Sequence, residues 1–173
     1  VEIRSRQDGR SNVKPVLGSA IKLPIPNNNL DIVAFNGVLE WLGGTDKTRS
    51  PMDLQQEALQ EAWRVLKPGG HVYIGIENGF SLRYMLGDHD DHRLMRFTSL
   101  MPRIVANLYC RLRTGEPYFT YTHSLAEYHG LLHEAHFADI RSYFPWPDYR
   151  NPISIVPLER GPVLEHLSSL SSS

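Results

Sequence analysis

The sequence predicts an α/β fold built on a parallel sheet, and three observations predict it. Residues 30–35 form an almost unbroken apolar run, residues 51–66 carry helical periodicity, and residues 72–76 form a second apolar run. A run interrupted only by Asp31 is the pattern of a strand covered in a parallel sheet rather than half-exposed. Strand, crossover and strand over this length describe a right-handed βαβ unit.

Taken in order, residues 1–12 are polar and end in Gly9-Arg10-Ser11-Asn12, which predicts a fraying helix end and a turn. Residues 13–17 are a short strand candidate, closed by Gly18-Ser19-Ala20. The run Leu23-Pro24-Ile25-Pro26-Asn27-Asn28-Asn29 is turn chemistry, because two prolines and three asparagines oppose a continuous helix or strand. For the helix that follows, Ser50 suits the cap, Pro51 the first position, and Asp53 the positive end of the dipole. Leu54, Ala58, Ala62 and Leu66 recur on one face, and Pro68-Gly69-Gly70 is expected to stop the helix.

Residues 80–122 leave this alternation. They hold Asp88-His89-Asp90-Asp91-His92, then Arg93, Arg96, Arg103, Arg111 and Arg113 with no acid among them. We expect an insertion covering the carboxyl edge of the sheet, with Pro102 opening a helix through Leu112. Ser124 and Glu127 form a capping-box pattern for a helix through about His133. Residues 140–144 and 153–158 are expected strands, with Pro145-Trp146-Pro147-Asp148-Tyr149 as the loop between them. Residues 161–173 read as a flexible tail, serine-rich at its end.

The 173 residues, 41% of them hydrophobic, suit a single domain with an ordinary core. With 18 basic against 19 acidic residues, bulk charge gives no reason to expect nucleic-acid binding. A lone cysteine, Cys110, forms no internal disulfide and reads as a small buried hydrophobe, which fits a reducing, cytoplasmic setting. No apolar run approaches the roughly 20 residues that a membrane span needs. The start, Val1-Glu2-Ile3-Arg4, has no signal-peptide pattern and no initiator methionine, and reads as a chain cut from something longer.

Gly18-Ser19-Ala20, Leu23-Pro24, Leu30-Asp31-Ile32-Val33, Asn36-Gly37-Val38 and Arg64-Val65-Leu66-Lys67-Pro68-Gly69-Gly70 stand in a fixed order. As a set they resemble class I S-adenosylmethionine-dependent methyltransferases of the type 11 kind, from about residue 13 to residue 158. The resemblance implies a partial Rossmann-like sheet with helices on both faces and a helical insertion after the fifth family strand. It implies a methyltransferase-like domain over residues 1–160 and S-adenosylmethionine as cofactor. Ser19 and Ala20 would lie beside the adenine, where the family usually has an acid. Serine there offers a neutral hydrogen bond, roughly half as strong as a charge-assisted one. Asn36, Gly37 and Val38 would run under the methionine part, at the strand end where open α/β sheets place ligands.

The family's glycine-rich cofactor loop and ribose-binding acid have no match before residue 13, so we expect a portion of a longer enzyme. That parent would transfer methyl to an oxygen or nitrogen of a small molecule or glycan, and the chain alone would be inactive and bind the cofactor negligibly. Relatives with a similar insertion and a similar Pro-Asp-Tyr-Arg run accompany surface-polysaccharide genes, which points toward a glycan. Glu77, His89, His92 and Tyr121 are the candidate substrate-side groups. Glu77 ends a strand, and histidine titrates near the operating pH of a general base. His and Asp at this spacing can converge on a metal. Consecutive loop residues rarely face one ion, however, so no metal is expected.

The arginine-rich stretch 93–113 reads first as a surface helix with its guanidinium groups in water. Its alternative is peripheral contact with a membrane surface. A second functional reading is a non-catalytic methyltransferase-like module that binds a partner protein through an exposed sheet edge. In the family's strand order, residues 30–35 would lack a neighbour on one side, which invites dimerisation across that edge. Pairing by residues 13–17 needs the least loop entropy and is the expected solution.

Overall fold

The computed structural model describes residues 7–9, 11–46, 48–76, 103–115 and 121–158. The central unit is β1 (Leu30–Asn36), a 3-10 helix (Leu39–Gly44), α1 (Pro51–Val65) and β2 (Leu66–Gly75). After it come α2 (Arg103–Thr114), α3 (Leu125–Glu134), β3 (Tyr143–Trp146) and β4 (Ser154–Pro157). β1 and β2 run parallel, with Val33 opposite Val72, Phe35 opposite Ile74 and Asn36 opposite Gly75. β3 and β4 form a separate antiparallel pair.

The helix α1 starts where its sequence says, with Pro51 in its first turn and Asp53 near the positive end. Ser50 occupies the cap position in an extended conformation, but its side chain makes no capping hydrogen bond. Only its carbonyl is used, accepting from the Leu54 amide at 3.2 Å. The Pro68-Gly69-Gly70 run does not stop the helix either, because Leu66 is already extended and pairs with Leu30. The run instead forms an irregularity within β2, between the Leu30–Leu66 and Ile32–His71 pairs. Gly69 there has φ +78°, a left-handed turn conformation that glycine adopts without a Cβ penalty.

Leu54, Leu59, Ala58 and Ala62 of α1 meet Phe35 of β1, Leu39 and Leu42 of the 3-10 helix, and Tyr128, Leu131 and Leu132 of α3 in one core. Val33, Val72 and Ile74 pack against it from the sheet. Their alternate neighbours Ile32 and Tyr73 are 64% and 51% exposed. Among the described residues one face of the ladder is therefore covered and the other open. β1 is held at its start by the Asn28 and Asn29 amides, which donate to the Arg64 and Val65 carbonyls at 3.1 and 2.8 Å.

Residues 13–17 do not pair with β1, contrary to the expectation from loop entropy. They belong to no strand, and Leu17 is 99% exposed. Pro15 lies in the middle of the segment and cannot donate to a ladder, which disfavours central pairing. The chain turns back at once instead, where the Lys22 amide donates to the Ser19 carbonyl at 3.0 Å.

The capping box at Ser124 is present in full. The Glu127 amide donates to Ser124 Oγ at 3.3 Å, and Glu127 Oε2 accepts from the Ser124 amide at 2.8 Å. The helix expected after Pro102 is α2, spanning Arg103–Thr114, with Cys110 fully buried and Arg111 and Arg113 exposed. The last two strands form later than expected at the first of them. Pro145 and Trp146 lie inside β3 rather than in a loop, because they pair with Ile155 and Ser154. Proline is compatible with an edge strand whose partner lies on one side only.

Candidate functional site

Two groups of residues surround the carboxyl end of the parallel ladder. The first is built on glycine. Gly37 follows β1 with φ +65°, and its amide donates to the Gly75 carbonyl at 2.8 Å, closing the ladder. Over it lies Tyr149, from the loop joining β3 to β4. A Cβ at residue 37 would stand 2.7 Å from the Tyr149 hydroxyl oxygen, so glycine is required by space as well as by φ. A Cβ at Gly75 would stand 2.6 Å from Asn36 Oδ1, 3.1 Å from Tyr149 Cδ2 and 3.1 Å from the Tyr73 hydroxyl. Two adjacent glycines thus form a bed without side chains of their own, on which Asn36, Tyr73 and Tyr149 pack closely. Arg150 Nε donates to the Tyr149 oxygen at 3.3 Å, bringing a cation to the same edge.

The second group is buried beside it, under the 3-10 helix that Val38 leads into. Gln55 Nε2 donates to the Leu39 carbonyl at 3.1 Å and to the Tyr121 carbonyl at 2.8 Å. With its amide fixed this way, Gln55 Oε1 faces His123 Nε2 at 2.6 Å. An amide oxygen can only accept, so His123 carries its proton on Nε2. The His123 ring stands edge-on between Tyr121 and Tyr128, with centroids 4.5 and 5.0 Å away. The Tyr121 amide donates to the Glu40 carbonyl at 3.1 Å. Burial, and then the nearby charge of Glu40, push the Tyr128 phenol well above its ordinary value.

Of the residues expected at the cofactor, Asn36 and Gly37 stand on the glycine bed, and Val38 is the exposed residue that opens the 3-10 helix. Ser19 is exposed in the tight turn before β1, while Ala20 is half-buried and packs against the core. The segment from this turn to β1 is clamped to α1. Glu61 Oε1 accepts from the Leu23 amide at 2.6 Å, and Arg64 reaches the Leu23 carbonyl at 3.2 Å. Hydrogen bonding from Arg64 in turn holds the Glu61 carboxyl below the usual carboxylate range. Tyr121 is half-buried, its amide bonded to the carbonyl of Glu40, three residues after Gly37, and its carbonyl to Gln55. Glu77, His89 and His92 lie outside the described residues.

Sequence reasoning missed Tyr149, Tyr73, Gln55 and the buried position of Glu40. The Pro147-Asp148-Tyr149-Arg150 run served as a pointer toward a glycan, but nothing in the sequence placed the Tyr149 ring over Gly37. Gln55 had no signal, since one polar residue on the apolar stripe of a helix reads as a gap in the pattern.

Residues 2–74 match a protein family described as a methyltransferase domain. The fold is similar to a SAM-dependent methyltransferase from Thermotoga maritima, at TM-score 0.52 and 17% identity, covering 90% of this chain and 61% of that one. It is also similar to a SAM-dependent methyltransferase from Methanosarcina mazei, at TM-score 0.53 and 16% identity, covering 90% of this chain and 71% of that one. The chain spans half to three-fifths of several structures it matches, at 50%, 61% and 54% of their lengths. The mixed α/β fold with its parallel strand pair is thus similar to the Rossmann-like fold of these SAM-dependent methyltransferases.

Proposed function

We propose that this chain is the second half of an S-adenosylmethionine-dependent methyltransferase acting on an oxygen or nitrogen of a small molecule or glycan, in the cytoplasm. The observation that carries the reading is the bed of Gly37 and Gly75 at the carboxyl ends of two parallel strands. That is where open α/β sheets hold ligands, and both glycines let neighbouring groups, Tyr149 and Asn36, approach the backbone more closely than a Cβ would allow. S-adenosylmethionine, when bound, supplies an electrophilic sulfonium methyl. The chain's own contribution is to position the cofactor and the acceptor, and to remove the acceptor's proton. Asn36 and Gly37 would lie along the methionine part, Val38 beside it, and Ser19 and Ala20 near the adenine. Tyr121 is held by Gln55 at the substrate side, and Glu77, His89 and His92 remain candidates for the base.

Calorimetry with the complete gene product tests the reading. Binding of S-adenosylhomocysteine is expected, and no binding heat with a folded protein would remove the methyltransferase function. If His89 or His92 is the base, methyl transfer falls as pH drops through about 6.5, the ordinary imidazole value. Replacing the responsible histidine by Gln should flatten that limb. A profile unchanged by both substitutions would take histidine out of the mechanism.

A further inference from the structure

We propose that α2 docks the protein on an anionic bilayer, its Val105, Leu108 and Leu112 stripe toward the acyl chains and Arg111 and Arg113 on the lipid phosphates. The proposal does not depend on the cofactor reading. Val105, Leu108 and Leu112 recur at helical spacing, so one face of α2 carries all three. A surface helix of a folded domain ordinarily turns such a stripe to the core. Here it points outward, with the three residues 49%, 58% and 79% exposed. Cys110, midway between Leu108 and Leu112 in sequence and so on the opposite side of the helix, is fully buried. α2 is thus covered on one side and presents its apolar stripe on the other.

Charge decides what suits that stripe. Arg111 stands one turn after Leu108 and Arg113 one turn after Tyr109, so the two cations border the stripe on either side. Both are exposed, and the Arg113 guanidinium lies over the Tyr109 ring at 5.8 Å from its centroid. From Arg93 to Gly115 the sequence adds Arg96 and Arg103 and holds no acid. Two copies meeting through this face would set cations against cations, which disfavours self-association. A nucleic acid would use the arginines and leave the leucines in water. An anionic bilayer suits both, since apolar side chains enter the acyl boundary while arginine forks hold phosphate oxygens. The 12 residues of α2 extend about 18 Å against roughly 30 Å of hydrocarbon, so the helix lies in the plane of the bilayer.

The test is sedimentation of the complete gene product with vesicles of phosphatidylcholine alone, or of phosphatidylcholine and phosphatidylglycerol in equal parts. Binding is expected to the anionic vesicles and not to the neutral ones. Two double variants at these exposed positions separate the contributions, each checked for folding by its urea midpoint. One joins Arg111→Gln with Arg113→Gln, the other Leu108→Ser with Leu112→Ser. Each arginine near an anionic surface strengthens partitioning about fivefold, so the first pair should weaken it on the order of 25-fold. The second pair should weaken it about tenfold or more, because less apolar surface leaves water. The lipid preference and both losses are required. A wild-type chain that stays in solution overturns the proposal, as does binding undiminished by either pair. Loss with the arginine pair alone means adsorption by charge with the stripe left in water, and also overturns it. Size-exclusion chromatography without lipid covers the remaining occupant: a dimer dissolved by the leucine pair would assign this face to a second copy and overturn the proposal.

Discussion

The glycine bed and the buried polar cluster lie next to each other, yet they are built by opposite means. At the bed, side chains are absent or exposed, and specificity comes from a close backbone and a ring placed over it. In the cluster, Gln55, His123 and Glu40 are all almost wholly buried, and hydrogen bonds fix both ends of the Gln55 amide and His123 Nε2. The difference follows from the cost of burial. A polar group at an exposed edge can exchange partners with water, whereas one in the core must be matched or costs about 1–3 kcal/mol. The edge can thus exchange its polar partners with water, while the core holds the 3-10 helix and α1 together.

Removing the centre of the cluster should therefore have the largest effect. Gln55→Leu would strand the Leu39 and Tyr121 carbonyls and His123 Nε2. We expect a loss of about 3–5 kcal/mol in urea denaturation, from three groups at roughly 1–3 kcal/mol each with partial relaxation. A loss under about 1 kcal/mol would mean that the cluster is not tightly matched, and the contrast with the edge would fail.

At the edge the expected effect is smaller for stability and larger for binding. Gly37→Ala places a Cβ 2.7 Å from the Tyr149 oxygen on a backbone with φ +65°. A left-handed alanine costs about 1–2 kcal/mol, and Tyr149 must move. Urea denaturation should show about that loss, and calorimetry should show S-adenosylhomocysteine binding reduced at least tenfold. Unchanged affinity would show that the ligand does not lie on this bed.

What the sequence revealed depended on whether its signals were local. The capping box, α1 and the β1–β2 pair were legible, because each is set by spacing within one segment. The stop of α1 was misplaced, because pairing of Leu66 with Leu30 outweighed the local preference of Pro68-Gly69-Gly70. Pairing by residues 13–17 was expected from loop length alone, and Pro15 weighed against it. The end of β1 was legible to within one residue, with Asn36 its last residue and Gly37 the turn after it. Tyr149 and Gln55 were not, since their partners lie far away in sequence, as with Gln55 and His123 at a separation of 68 residues.

Alkaline pH probes the cluster from a third side. Burial raises the Tyr128 phenol above its ordinary value of 10.0. In the unfolded chain this tyrosine ionises near that ordinary value, while in the folded chain it stays neutral. Its contribution is fully present below pH 10 and is lost as pH rises toward the folded value, at up to about 1.4 kcal/mol per pH unit. Tyr128→Phe should make the fall in stability between pH 10 and pH 11 shallower by about 1 kcal/mol. An unchanged slope would show that this phenol titrates freely.

The smallest effect belongs to the capping box, which holds α3 and with it the His123 end of the cluster. Ser124→Ala removes an acceptor for the Glu127 amide, and an N-cap of this kind contributes about 1 kcal/mol. Hydrogen bonds from the Ser124 amide and then its hydroxyl hold the Glu127 carboxyl below its ordinary value of 4.5. A depressed carboxylate contributes stability that is present above pH 4.5 and lost as pH falls through the folded value. Ser124→Ala keeps the amide donor but removes the hydroxyl, so the acid limb should become shallower without vanishing. Urea midpoints measured from pH 6 down to pH 3 read both effects together. If the variant loses stability equally at every pH, the hydroxyl serves the helix end alone and Glu127 owes its shift to the backbone.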